Sequence, residues 1–151
     1  MAERSALRIL VVDDDPAMVR LAAAALTAHG FTDLEHVATG RDALLAAARA
    51  DVLLLDQNLP DLAGREVLLA LRAWPEPPSV VMVTAHGSET FAADALRAGA
   101  EDYLVKDASL AAMLPEVVER VRRMRSLREA LATAERELLH VERRASVGEM
   151  T

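Results

Sequence analysis

The sequence predicts an α/β fold: a parallel five-stranded sheet flanked by helices, with a helical extension at the C-terminal end. Three observations predict it. Short aliphatic runs recur along the first 110 residues, and helical patterns fill the gaps between them. Two of those patterns end at Gly30 and Gly99, where a C-terminal glycine stop belongs. Strands alternating with helices at this spacing imply βαβ units with right-handed crossovers.

Each element follows from its residues. "LRILVV" (7–12), "LEHVA" (34–38), "DVLLL" (51–55), "SVVMV" (79–83) and "DYLV" (102–105) read as strands. The first, third and fourth are unbroken aliphatic runs, the pattern of parallel strands buried on both faces. "AMVRLAAAALTAHG" (17–30), "RDALLAAARA" (41–50), "GREVLLALRAW" (64–74) and "SETFAADALRAGA" (88–100) read as helices. A further helix starts near Ser109 and meets no stop. Its only proline, Pro115, is placed near the first turn, where proline is tolerated. Met124, Leu131, Leu138 and Ala145 then recur every seven residues, with Leu127, Ala134, Val141 and Gly148 three residues after each. A 3–4 repeat of this kind is the seam of a coiled coil. A solitary helix of this composition is marginal without a partner, so a homodimer through 124–148 is expected.

Composition narrows the function. With 52% hydrophobic residues the chain can fill a core, and with 3% aromatics that core is built from Ala, Leu and Val. No cysteine is present, which excludes disulfides and thiolate metal sites and fits a reducing compartment. No apolar stretch approaches the length of a membrane span, and charge arrives too early for a secretory signal. A cytoplasmic protein without membrane contact is expected. The net charge of −7 is concentrated in residues 1–110, which carry −8, against +1 in 111–151. An acidic front half repels nucleic acid.

The chemistry gathers at the strand ends. In an open parallel sheet, ligands bind outside the carboxyl ends of the strands. There the chain places Asp13, Asp14 and Asp15 after the first strand, Asp56 after the third, Thr84 after the fourth and Lys106 after the fifth. Singly, each has a bland reading as a loop, cap or solvated residue; four coincident strand ends do not. Carboxylates without Cys or His favour a hard cation held through oxygen, Mg²⁺ above all. A carboxylate also serves as a nucleophile toward phosphorus, with a cation, Lys and Thr stabilising the phosphoryl oxygens. Lys106 is the only lysine among 17 basic residues, which suits a point charge where arginine would bring a planar fork. Asp15 precedes Pro16, a favoured first helical residue, and so fits an N-cap.

On "ILVVDDDP", "DVLLLDQNLPDLAG", "VVMVTAHGS" and "DYLVKD", in that order, the chain resembles the receiver domain of two-component response regulators over roughly 7–125. The resemblance implies a flavodoxin-like (βα)5 domain with strand order 2-1-3-4-5. It implies Mg²⁺ held by Asp13, Asp14, Asp56 and the backbone carbonyl of Asn58, and Asp56 as the phosphorylated residue. It further implies that Thr84 and Lys106 bind the phosphoryl group, and that Thr84 and Tyr103 act as the switch pair. Its phosphodonor would be a phosphohistidine-bearing kinase or phosphotransfer protein. Asn58 and His86 occupy positions that the family uses to tune dephosphorylation. Where the family has proline after the lysine, this chain has Asp107. A cis bond before a non-proline residue costs about 2.5–4 kcal/mol. The Lys106–Asp107 bond is therefore expected to be trans, with a different loop, a lysine that reaches the site less reliably and an added charge at the rim.

The stretch "ELLHVERRASVGEMT" (137–151) resembles the start of a histidine kinase dimerisation helix. His140 lacks the acidic residue and proline of the phosphorylated-histidine motif and falls outside the seam; His29 and His36 have no metal spacing. The expected organisation is a receiver over 1–125 and a coiled-coil linker over 126–151, the front of a hybrid sensor histidine kinase. The alternatives are a stand-alone dimeric response regulator, an unphosphorylated adaptor, or a Mg²⁺-dependent phosphohydrolase using Asp13 and Asp15. The last leaves Asp56 without a role and needs a cap domain.

Overall fold

The computed structural model describes the backbone of residues 2–150 and the side chains of residues 4–143. The order is α1 (Ala2–Ala6), β1 (Arg8–Val12), α2 (Pro16–Thr27), β2 (Asp33–Val37) and α3 (Gly40–Ala46), continued by a 3₁₀ turn over Ala47–Arg49. Then follow β3 (Val52–Leu55), α4 (Gly64–Arg72), β4 (Ser79–Thr84), α5 (Glu89–Arg97), β5 (Asp102–Val105) and α6 (Leu110–Met150). The five strands form one parallel sheet in the order β2-β1-β3-β4-β5. The expected strand order and helical extension are both present.

Alternation along the strands divides the core into two layers. Ile9 and Val11 of β1, Val52 and Leu54 of β3, and Val81 and Val83 of β4 face α2 and the front of α6, packing with Leu26, Phe31, Leu114 and Val118. Leu10, Val12, Leu53, Leu55, Val80 and Met82 face the other way, onto alanines and leucines of α3, α4 and α5. The alanines let these helices approach the sheet closely, which is how a chain so poor in aromatics still buries an aliphatic core. A fully buried leucine contributes roughly 2 kcal/mol, and Leu10, Leu53 and Leu55 are all fully buried.

Three local differences from the sequence reading have physical causes. First, α1 is a five-residue helix too short to show a period. Arg4 fixes it, pairing with Glu119 of α6 at 3.1 Å, donating to the His29 carbonyl at 3.2 Å and lying over the Phe31 ring. Second, the α2 pattern ends at Thr27, and Gly30 follows as the left-handed residue with φ 90°. Third, Pro115 lies in the second turn of α6, deeper than expected. The helix survives the missing N–H because Leu114, Val117, Val118 and Val121 are buried around it.

The chain divides into two compact units, Met1–Val121 and Arg122–Thr151. In the second, the seam residues Leu127, Leu131, Leu138 and Val141 are all more than half exposed, as is Leu139 off the seam. Met124 is 43% exposed, while Ala145 and Gly148 lie beyond the described side chains. Among the described residues, no helix is long and apolar enough to cross a membrane.

Candidate functional site

The sheet itself delivers the site residues. Asp13 follows β1, yet its N–H still bonds the Val37 carbonyl of β2 at 3.1 Å. In the same way Asp56 N–H bonds Val12 O at 3.0 Å and Lys106 N–H bonds Thr84 O at 2.8 Å. Each residue therefore continues its ladder by one step, so strand alternation still dictates where it points. Asp13, Asp56 and Lys106 share the parity of the layer under α2 and α6. Thr84 and Tyr103 share the opposite parity, and Tyr103 packs on that second layer.

The result is a compact charge cluster. Carboxylate oxygens of Asp13, Asp14 and Asp56 lie within 4.8 Å of one another, with Asp13 and Asp56 buried and Asp14 exposed. Lys106 Nζ is 2.7 Å from Asp13 Oδ2 and 3.5 Å from Asp56 Oδ2. Burial pushes the Asp56 carboxyl above its ordinary range; the Asp13 charge adds to this, while Lys106 and the Asn58 N–H pull the other way. Burial alone would lower Lys106, but its hydrogen bond to Asp13 and the two carboxylate charges outweigh it and raise the ammonium. Three carboxylates around one ammonium leave net negative charge, and this all-oxygen donor set fits Mg²⁺.

Asp15 does a separate job. Its side chain accepts the Ala17 N–H at 3.0 Å as the N-cap of α2, and its own N–H donates to Asp13 Oδ1 at 2.9 Å. It lies outside the carboxylate cluster, which removes the Asp13–Asp15 pair that a phosphohydrolase would need.

The loop after Lys106 corrects one expectation. No cis peptide bond occurs in the described chain, so Lys106–Asp107 is trans as expected. Lys106 nevertheless reaches both carboxylates, because its ladder bond to Thr84 places it independently of the residue that follows. Asp107 does not load the rim. Its carboxylate takes the Ser109 N–H at 2.9 Å and hydroxyl at 2.6 Å, bonds that hold it below the usual carboxylate range and start α6.

On the opposite parity, the Tyr103 hydroxyl donates to the His86 carbonyl at 2.8 Å. Burial raises this phenol, and the Thr84 side chain opposes the shift. Thr84 is 2% exposed, and its hydroxyl accepts the His86 N–H at 3.4 Å. A cavity of about 600 Å³ opens here, lined by Asn58, Thr84, His86 and Tyr103 together with Phe91 of α5.

Sequence reasoning missed three residues around the site. Asp61 accepts the Gly40 and Arg41 N–H groups at 2.8 and 3.0 Å, tying the loop after Asp56 to the start of α3, and its carboxyl is lowered by those bonds. The His36 ring nitrogen Nε2 is 2.9 Å from the Asp13 carbonyl oxygen. Gly64 presses α4 against the backbone of Asp56: a Cβ there would lie 2.4 Å from the Asp56 carbonyl oxygen. The first two pair residues twenty or more positions apart, with no local signal; the third was visible as a glycine opening a helix.

Known proteins agree with this geometry. The family model of the response regulator receiver domain matches residues 9–118. The transcriptional regulatory protein KdpE of Mycobacterium tuberculosis is 38% identical over 117 residues, covering 76% of this chain and 51% of KdpE. This chain thus spans about half the length of that relative. The receiver domain of a putative LuxO repressor protein from Vibrio parahaemolyticus superposes with a TM-score of 0.77 at 31% identity, covering 83% of this chain and 96% of that one. The CheX–CheY–BeF3–Mg²⁺ complex from Borrelia burgdorferi matches with a TM-score of 0.70 at 26% identity, covering 76% and 88%. The fold, the strand-end cluster and these matches together place the chain in the family of two-component response regulator receiver domains.

Proposed function

We propose that this receiver accepts a phosphoryl group on Asp56 from a phosphohistidine-bearing kinase or phosphotransfer protein. The observation that carries the proposal is the buried Asp56 carboxylate at the end of β3, with Asp13 and Lys106 beside it. Receiver domains bind Mg²⁺ at an acidic pocket, and Asp13, Asp14, Asp56 and the Asn58 carbonyl are the groups that would hold it here. When bound, the ion neutralises carboxylate and phosphoryl oxygens. An Asp56 oxygen forms the new bond to phosphorus as the donor's P–N bond breaks, and the electron pair returns to the imidazole. Lys106 pairs with a phosphoryl oxygen, and the Thr84 hydroxyl donates to another. Moving Thr84 toward phosphorus changes what Tyr103 packs against, which couples the site to β5 and α5. The test is the mass gain of one phosphoryl group from a small phosphodonor, present with Mg²⁺ and absent with chelator.

Asp14 and Asp15 are expected to separate cleanly. Asp14→Asn should weaken Mg²⁺ binding by about tenfold, since the amide keeps an oxygen donor but takes one negative charge from the site, and affinity for a hard cation follows ligand charge. Asp15→Asn keeps a competent N-cap and should leave Mg²⁺ affinity within about twofold. Calorimetric titration with Mg²⁺ distinguishes the two.

The output reading is a homodimer through the 124–148 seam, in the front part of a hybrid sensor histidine kinase. What supports it is the exposed apolar stripe at heptad spacing and the kinase-like "ELLHVERRASVGEMT". Leu131→Asp is expected to shift the chain from dimer to monomer in sedimentation velocity, with Asp56 still phosphorylated. A sequence beyond Thr151 carrying a histidine box and an ATP-binding domain would fit this reading. An output domain of another kind there would fit the stand-alone regulator.

A further inference from the structure

The cavity beside Thr84 holds a positive charge that the phosphotransfer chemistry above does not use. Arg65 is the second residue of α4 and lines the same cavity as Asn58 and Thr84. Its backbone is fixed close to the phosphoacceptor. Gly64, just before it, packs on the Asp56 carbonyl and donates its N–H to Gln57 O at 2.8 Å. The Arg65 N–H donates to Gln57 Oε1 at 3.1 Å. Among the described residues, the Arg65 guanidinium has no ion pair or hydrogen bond, whereas Arg72 and Arg97 of the neighbouring helices are engaged. Asp94, across the cavity on α5, is 3.5 Å from Arg97 of its own helix. His86 is the remaining titratable group on that side besides the Tyr103 phenol.

We propose that Arg65 is a further phosphoryl-binding residue, closing on the aspartyl phosphate from the cavity side. The proposal rests on Asp56 being the phosphorylated residue. Lys106 approaches from the sheet parity of Asp13 and Asp56, and its ammonium is already held by Asp13. Apart from the His86 ring, the cavity side otherwise offers phosphoryl oxygens the Thr84 hydroxyl and the Gln57 and Asn58 amides. A guanidinium fork matches two phosphoryl oxygens at once, and such charge-assisted pairs are the strong ones. It also occupies the open side from which water reaches phosphorus. In hydrolysis the water oxygen bonds to phosphorus and the P–O bond to Asp56 breaks. Asp56 leaves as a carboxylate with the electron pair, and inorganic phosphate keeps the water oxygen while a proton passes to solvent. A guanidinium bonded across the phosphoryl oxygens stabilises the ground state and obstructs that approach, so the phosphorylated form lives longer.

The experiment phosphorylates the full chain with a small phosphodonor and Mg²⁺, removes the donor, and follows loss of the phosphoryl mass with time. Arg65→Ala is expected to shorten the lifetime by about tenfold, the size of one charged hydrogen bond. Arg65→Lys, which keeps the charge without the fork, should fall between. Added salt should shorten the lifetime of the parent protein more than that of Arg65→Ala, a response that a purely structural role would not produce. A lifetime in Arg65→Ala within twofold of the parent, or longer, overturns the proposal. A parent protein that gains no phosphoryl group overturns instead the reading of Asp56 on which it rests.

Discussion

Asp56→Asn is expected to gain no phosphoryl mass under conditions that modify the parent protein, a loss beyond detection. The amide is nearly isosteric, so the cavity, the ladder bond from Asp56 N–H to Val12 O and the packing on Gly64 all persist. What disappears is the nucleophilic oxygen. Stability should move in the opposite direction. In the folded chain burial raises the Asp56 carboxyl, and the Asp13 charge raises it further. A raised carboxyl means that the folded state disfavours the charged form relative to the unfolded state, so a cost in stability builds up as the pH rises from the ordinary carboxylate pKa through the raised one and stays in full above it. Asparagine removes that cost. In chelator at neutral pH, the variant should therefore unfold at a higher urea midpoint than its parent, and the difference should shrink as the pH falls through the carboxylate range. A residual mass gain would show that another carboxylate, Asp13 or Asp14, accepts the group.

Gly64→Ala is expected to lose both stability and phosphorylation. Helix propensity argues the other way, since alanine is favoured over glycine by about 1 kcal/mol in a helix interior. Sterics decide the outcome. The added Cβ would meet the Asp56 carbonyl oxygen at 2.4 Å and Gln57 Cα at 2.9 Å, both backbone atoms. Such atoms cannot swing aside as a side-chain tip can, so α4 must lift from the strand end. Overpacking costs about 1–3 kcal/mol when side chains can adjust, and here they cannot, so a net loss of about 2 kcal/mol is expected in urea denaturation. The Asp56 carboxylate shifts with its backbone, and the initial rate of phosphorylation should fall with it. Gly40→Ala is the informative contrast. Its nearest neighbour is Leu62 Cβ at 2.8 Å, with Leu62 Cδ1 and Val67 Cγ2 at 3.0 and 3.1 Å, so stability should fall here too, but the crowding does not involve the Asp56 backbone and the chemistry should stay intact.

The strands were legible because parallel strands buried on both faces leave unbroken aliphatic runs, and "VLLL" and "SVVMV" could be little else. The carboxylate cluster was legible for a related reason: the polar residue that ends such a run stands at the sheet edge where ligands gather. Asp15 was separable from Asp13 and Asp14 because proline marks the first turn of a helix. Residues placed by distant partners were not legible. Asp61 satisfies the amides of a helix twenty positions earlier, and Arg4 pins α1 through Glu119, contacts with no local period to announce them. Lys106 reaches the carboxylates without a proline after it because the β4–β5 ladder sets its position, a pairing that the residue following the lysine does not reveal. The seam from Met124 onward shows its period plainly, but a period names no partner.

Helix α4 has an optical consequence. It starts against the Asp56 backbone and runs to Arg72, about 13 Å at 1.5 Å per residue. Two residues further on lies Trp74, the only tryptophan in the chain, partly buried against the layer of Leu and Ala side chains behind the sheet. The protein thus carries its own fluorophore at the far end of a rod whose near end rests on the reactive aspartate. The indole is not among the side chains that line the cavity at Thr84 and Tyr103. A change in tryptophan emission on phosphorylation would report that the rod has moved as a body, which makes one spectrum a discriminator between a loop switch and a helix shift.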